Sequence, residues 1–407
     1  MAFQHQAGTA MECLSIPITL HKEVDGETLR CGFKIGGGID QDYHKSPQGY
    51  TDNGIYVTEV HESSPASRSG LRVHDKILQC NGYDFTMVTH KKAVSYIKKH
   101  PVLNLLVARK GKHVLITGGS SGIGKAVAEI AVKQGAHVTM VARDLLKLKR
   151  TENYLKGIAL STTQKITSIT VDVRDHSNFG NFILQIDDDL PIYMLVNCAG
   201  MSMCGKIEDM SIEDTKQMID INFYGTYNPI KAIVPRMKAR KEGSIIITGS
   251  QASLLGIFGF TSYSASKYAL RGLAEALDME VRVHNINVTL ALPPDTDTPG
   301  FKNENLTKLE ETKLICESAG LFTANDVAKK MLDDALAGHF MSSVGLESFL
   351  LTTLCVGMTR HSSLCDLLLQ SCLLGPFKLI SALYLASFNR IIKKFVSFVE
   401  AFLPLTG

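Results

Sequence analysis

The pattern of apolar and polar positions changes character near residue 110. Before it, short apolar runs at 14–20, 29–35, 54–60, 73–80 and 102–109 are separated by Gly, Pro and Asn/Asp turns, which predicts short strands. One helix is expected at 90–99, where Thr89 can cap and Ala93, Val94 and Ile97 supply an apolar side. Several short strands with one or two helices predict a small, partly open β-barrel. Beyond residue 110 the period lengthens. Strands are predicted at 113–117, 136–141, 166–172, 192–196 and 243–248, with helices running to Gln134 and over 144–156 and 177–188. Strands alternating with helices at this spacing imply right-handed βαβ units in a doubly wound parallel sheet.

Residues 346–407 follow neither pattern. Their apolar stretches are interrupted by Arg360, Asp366 and Lys378, and neither reaches the length of a membrane span. The tail puts Ile391, Phe395, Phe398 and Phe402 on one helical side, with Lys393, Lys394, Ser397 and Glu400 on the other. That pattern predicts a helix lying at a membrane surface. Packing against the enzyme core or a dimer partner is the alternative, and whether the region spans or lies on a membrane stays open. The expected regions are therefore 13–110, 111–345 and 346–407, with almost no linker at Lys110-Gly111-Lys112.

Composition narrows the classes. The 407 residues carry 43 basic and 40 acidic side chains, so no nucleic-acid groove is suggested. Thirteen histidines show no metal-ligand spacing, and no metal is expected. Nine cysteines, without a C-x-x-C pair, read as reduced thiols in a cytosol-facing protein. The start M-A-F-Q-H-Q-A-G lacks a signal-peptide pattern.

Three stretches carry candidate chemistry. In C-G-F-K-I-G-G-G (31–38), glycine lets backbone N–H groups form a nest for a carboxylate. In T-G-G-S-S-G-I-G (117–124), Gly118, Gly122 and Gly124 follow a strand and open a helix, which suits a dinucleotide pyrophosphate. The next strand ends in Ala142-Arg143, where a carboxylate would accept from an unphosphorylated ribose. An arginine there matches a 2′-phosphate and implies NADP(H), an exposed structural arginine being the alternative. Asp172 and Val173 end the third strand near the adenine, and Asn197-Cys198-Ala199-Gly200 ends the fourth near the nicotinamide and its ribose. The third stretch is 250–267. There Tyr263 and Lys267 are i and i+4 on a helix, and Ser250 follows a strand. An ammonium beside a phenol favours phenolate, lowering a tyrosine pKa that is ordinarily about 10. Tyrosine then becomes usable as an acid or base.

The first region resembles a PDZ domain through G-F-K-I-G-G-G-I-D-Q-D (32–42), G-I-Y-V-T-E-V (54–60), S-P-A-S-R-S-G-L (64–71) and D-K-I-L-Q-C-N-G (75–82). The resemblance implies a carboxylate loop at Cys31, Gly32 and Phe33, and a groove between strand 33–38 and the helix bearing His90, Val94 and Ile97. A partner's C-terminal peptide would add there as a strand, with His90 facing its third-from-last residue. The second region resembles the short-chain dehydrogenase/reductase family through the glycine turn, the Asn197–Gly200 turn, Asn222 in I-N-F-Y-G, and Ser250, Tyr263 and Lys267.

That family's catalytic residues fall on Asn222, Ser250, Tyr263 and Lys267. Its cofactor contacts fall on Gly118, Ser120, Ser121, Gly122, Ile123, Gly124, Arg143, Asp172, Val173, Asn197, Ala199, Gly200, Tyr263, Lys267, Pro293 and Thr296. The family roles are protonation of a carbonyl by Tyr263, its orientation by Ser250, ribose binding and pKa depression by Lys267, and a relay water held by Asn222. Within the family, V-N-C-A-G-M, the stretch from Ser250 through Val281, and P-P-D-T-D-T-P-G-F (293–301) are similar to the 3-ketodihydrosphingosine reductases. That similarity implies NADPH, a long-chain sphingoid base ketone as substrate, and the cytosolic face of the endoplasmic reticulum membrane. Those reductases normally begin with a hydrophobic membrane segment, whose place the PDZ-like region occupies.

The fold class expected is α/β: a Rossmann-type doubly wound sheet, preceded by the PDZ-like barrel and followed by the hydrophobic C-terminal region. A reductase of another lipid ketone, an adaptor that only binds nucleotide, and a homo-oligomer stay open.

Overall fold

A computed structural model describes residues 13–25, 28–42, 52–73, 75–110, 112–160, 164–175, 179–317, 320–355, 357 and 363–402. Arg360 lies outside them, as do the side chains of Phe395, Ser397, Phe398, Glu400 and Phe402. The chain divides into two compact units, Met1–Gly111 with Ser161–Gln164, and Lys112–Leu160 with Lys165–Gly407.

The first unit is an antiparallel sheet whose strands lie in the order Cys13–His21, Val102–Lys110, Lys76–Cys80, Ile55–Val60 and Phe33–Gly37. Its core gathers Leu20, Ile55, Val57, Ile77, Phe85 and Leu103. The strand expected at 29–35 is in fact two. Thr28–Arg30 pairs with Glu23–Asp25, and Phe33–Gly37 pairs with Ile55–Val60 at the sheet edge. The break falls at Gly32, which takes φ +78° where a Cβ would stand 2.2 Å from Ser64 Cβ. Only glycine tolerates both demands. The helix forms at His90–Lys99, with Thr89 Oγ1 accepting from Lys92 N at 3.3 Å.

The second unit is built on seven parallel strands: β1 (His113–Thr117), β2 (His137–Ala142), β3 (Ile166–Thr170), β4 (Ile192–Asn197), β5 (Gly243–Thr248), β6 (Ile286–Ala291) and β7 (Met341–Ser342). Their order is β3-β2-β1-β4-β5-β6-β7. The central strands are largely apolar and buried because helices cover both faces. On one face pack α1 (Gly122–Lys133), α2 (Leu145–Gly157) and α6 (Ala324–Leu336), through Val127, Ala131, Leu148, Val327 and Met331. On the other pack α3 (Phe179–Asp189), α4 (Gly225–Arg240) and α5 (Thr261–Val281), through Phe179, Ile183, Ile233, Leu270 and Leu277. Strand order reverses between β1 and β4. A crevice opens there beyond the carboxyl ends of the strands, the usual ligand position in such sheets.

The C-terminal region differs from its sequence reading. After α7 (Leu346–Leu354), residues Leu364–Phe402 form one continuous helix, α8, passing through Pro376 and Lys378. Within its stretch Leu364–Lys394 an 18-residue window reaches a mean hydropathy of 1.4 with none of it buried, so the helix is long and apolar enough to cross a membrane. Asp366 sits in the first turn and Lys378 stands alone mid-helix, so neither charge breaks the run as the spacing implied.

Candidate active site

The β1–α1 turn is set by backbone approaches that exclude side chains. A Cβ on Gly118, at φ +70°, would lie 2.8 Å from Ala199 N, and one on Gly124 would lie 2.4 Å from Gly118 O. The turn is thereby pressed between β4 and the first turn of α1. Ser121 is the N-cap of α1, yet its side chain makes no capping hydrogen bond. The N–H groups there and the helix dipole are thus available to an anion.

At the end of β2, Asp144 is committed to capping α2 and accepts from Lys147 N at 3.0 Å. Arg143 is exposed and borders the same cavity, as does Lys147. Lys147 was not singled out in the sequence, although its place one helical turn after Arg143 was a usable signal. Both oxygens of Asp172 accept from Arg174, at 2.7 to 3.1 Å, and this pairing holds its carboxyl below the usual range. Val173, Ala199 and Gly200 border the cavity, with Ala199 N donating to Thr117 Oγ1 at 3.2 Å. Asn197 is placed otherwise: its side chain is buried in the sheet and donates to Ile246 O at 3.2 Å.

Ser250, Tyr263 and Lys267 meet on the cavity wall. Ser250 starts a short turn after β5 and accepts from Ala252 N at 3.2 Å, and its side chain acts to lower the Tyr263 pKa. Lys267 Nζ donates to Thr248 O at 2.9 Å and lies 5.8 Å from the Tyr263 ring centre. Burial lowers the Lys267 pKa to about 8. The expectation that this lysine depresses the tyrosine pKa fails here. Burial foremost, then the Glu304 carboxylate, push the Tyr263 hydroxyl up, while Ser250 opposes them. Tyr263 therefore holds its proton at neutral pH, as a donor to a carbonyl oxygen must.

Asn222 is fully buried in a π-helical turn, Asp220–Tyr224, rather than on the cavity wall. Its Oδ1 accepts from Met201 N, and its Nδ2 donates to Met201 O and Ser266 Oγ, all at 2.9 Å. It ties the chain after Gly200 to the helix carrying Tyr263. Pro293 borders the cavity, as does Thr296, whose hydroxyl donates back to Pro294 O at 2.8 Å.

The cavity encloses about 860 Å³, within the usual range for small-molecule sites. It runs from the glycine turn and Ser120–Gly124 past Tyr263 to Leu350, Leu351 and Leu354 on α7 and Tyr384, Leu385 and Phe388 on α8. These apolar residues were not read from the sequence as part of the site.

In the first unit Cys31 is half-buried, Gly32 and Phe33 are buried, and His90 Nδ1 bonds Gly37 O at 2.9 Å on the edge strand. With Nδ1 as donor, Nε2 carries the lone pair. Val94 is half-buried, whereas Ile97 belongs to the core.

Comparison with known proteins agrees with this architecture. The short chain dehydrogenase family matches residues 112–309, and the PDZ domain family matches 19–108. The chain belongs to the short chain dehydrogenase family and carries a PDZ domain before the reductase unit. A Bos taurus protein named 3-ketodihydrosphingosine reductase is 44% identical over 290 residues, 71% of this chain and 87% of its own length. A Danio rerio 3-dehydrosphinganine reductase is 45% identical over 286 residues, 70% of this chain and 86% of its own. At the N-terminus, a Caenorhabditis elegans Tax1-binding protein 3 homolog is 57% identical over 113 residues, 26% of this chain and 91% of its own. The solved structure of ElxO with NADP bound is 27% identical with a TM-score of 0.50, covering 57% of this chain and 97% of that one.

The lowered Lys267 pKa has a measurable consequence. Between pH 8 and 10.5 the unfolded chain binds a proton that folded Lys267 does not, so the stability cost of burying it is relieved as pH rises through that window. The melting temperature of the wild type relative to Lys267→Met should climb across this range. A difference that does not vary with pH contradicts the placement.

Proposed function

We propose that this chain reduces 3-ketodihydrosphingosine to dihydrosphingosine with NADPH. The observation that carries the reading is one cavity joining three features: a glycine turn with Arg143, the Ser250/Tyr263/Lys267 wall, and an apolar end against α7 and α8. It occurs in a chain 44% identical to a named 3-ketodihydrosphingosine reductase. The glycine turn and the start of α1 suit the diphosphate, Arg143 with Lys147 the 2′-phosphate, and Ala199, Gly200 and Lys267 the nicotinamide ribose. Bound NADPH supplies the hydride for the ketone carbon. Tyr263 donates its proton to the ketone oxygen, completing the alcohol. Ser250 holds that oxygen in line, and Lys267 acts on the ribose rather than on the phenol. Asn222 acts by positioning the Gly200–Met201 segment.

The exposed length of α8 and its contribution to the cavity support membrane attachment, through which a long-chain ketone could enter without crossing water. The cysteines of the described residues are free, which suits the cytosolic face of the endoplasmic reticulum membrane. The open edge at Phe33–Gly37 suits a partner's C-terminal peptide. His90 Nε2 would accept from a Ser or Thr hydroxyl third from its end.

Tyr263→Phe should keep fold and NADPH affinity while lowering turnover on the order of 10²–10⁴-fold, the usual share of acid–base catalysis. Near-normal rates would overturn the mechanism. The purified full chain should float with phospholipid vesicles in a density gradient, and retention in the aqueous fraction would count against attachment. A peptide ending Ser/Thr-x-aliphatic should bind the full chain more tightly than its Ala counterpart. Equal affinities would remove His90 from the recognition scheme.

A further inference from the structure

A charged cluster beside Tyr263 plays no part in proton or hydride transfer. Lys308 Nζ pairs with Asp295 Oδ2 at 2.9 Å and with Glu304 Oε1 at 3.1 Å. Its side chain is only 2% exposed, and that of Glu304 only 12%. The ammonium also lies 4.9 Å from the Phe301 ring centre and 5.8 Å from that of Phe260, whose ring is 5.3 Å from the Tyr263 ring. Asp295, Phe301 and Glu304 all border the cavity that Tyr263 borders.

Two carboxylates thus share one ammonium, leaving an excess negative charge in a poorly hydrated wall. A surface i,i+4 pair would carry no such excess and would sit in water. Burial and the neighbouring Asp295 push the Glu304 carboxyl up, Lys308 opposing them, and Glu304 is the charged group acting most strongly on Tyr263. A second cation arriving from the cavity would relieve both strains. The ketone named in the proposed function bears such a cation on the carbon next to its carbonyl. With the carbonyl oxygen at Tyr263, that ammonium is presented to the same wall.

We propose that Glu304, assisted by Asp295, binds the ammonium group of an α-amino ketone and selects it over ketones that lack the amine. The inference rests on the reductase reading and makes Glu304 a specificity residue rather than a proton donor. The apolar chain of the substrate is then left to the Leu350, Leu351 and Leu354 lining of the same cavity.

The test compares two ketones in mixed micelles with NADPH: 3-ketodihydrosphingosine and the matching β-hydroxy ketone without the amine. Wild type should favour the amino ketone in kcat/KM. Glu304→Gln leaves Lys308 paired with Asp295. It should cut that preference roughly tenfold or more, mainly through KM, as expected for a lost charge-assisted contact. Glu304→Asp should restore part of it. Unchanged melting temperature and NADPH affinity would show that the fold survives, and Asp295→Asn gives the same comparison if Glu304→Gln does not fold. A wild type indifferent to the amine, or variants that slow both ketones alike, would overturn this inference alone. A wild type that reduces neither ketone would overturn the parent reading with it.

Discussion

The site depends on one close approach: the backbone of Gly118 against the end of β4, with Gly124 pressed onto Gly118 from the first turn of α1. Nothing larger than hydrogen fits at either point. Because of this contact the α1 N-terminus faces the crevice between β1 and β4 instead of being pushed away from it. The diphosphate site and the Ala199–Gly200 floor are two sides of the same contact. The rest of the catalytic wall is attached to that floor, since Asn222 links Met201 to Ser266, one residue before Lys267. A shift at Gly118 would therefore be transmitted to the tyrosine helix.

Electrostatics divides the cavity into parts with different tasks. Near the glycine turn, Arg143 and Lys147 supply cations, Lys147 paired with Asp144 at 3.3 Å. At the centre, Tyr263 keeps its proton and Lys267, lowered to about 8, can carry or release one. Beside them the Asp295–Glu304–Lys308 cluster is net negative, and the far end is mainly apolar, with Glu347, Lys378 and Ser381 among its leucines and aromatics. A molecule with a phosphate-rich partner, a carbonyl, an ammonium and a hydrocarbon tail meets each part in turn. A steroid or retinoid ketone would leave the negative cluster unmatched, since it brings no cation.

Much of this was legible from local pattern. Strands buried on both faces read as continuous apolar runs, and Tyr263 and Lys267 declare themselves at i and i+4 once a strand ends at Ser250. What the sequence concealed depends on distant partners. The kink at Gly32 is imposed by Ser64, so 29–35 looks like one strand until the fold brings them together. Asn197 reads as a cofactor ligand, but its amide is spent on Ile246 in the neighbouring strand. The tyrosine pKa was misread because the i+4 lysine is visible locally, whereas Glu304 reaches Tyr263 only through the fold. Lys378 looked like an interruption of an apolar stretch, yet α8 runs through it and turns it to the cavity.

NADPH-dependent reduction of a long-chain amino ketone in this cavity can be measured directly. The most direct measurement incubates the purified full chain with 3-ketodihydrosphingosine in mixed micelles and follows NADPH by absorbance and product by mass spectrometry. Dihydrosphingosine should form in equal amount to NADPH consumed, with NADH supporting far less. Intact, nucleotide-binding protein that consumes no NADPH with this ketone and forms no dihydrosphingosine would contradict the reductase reading.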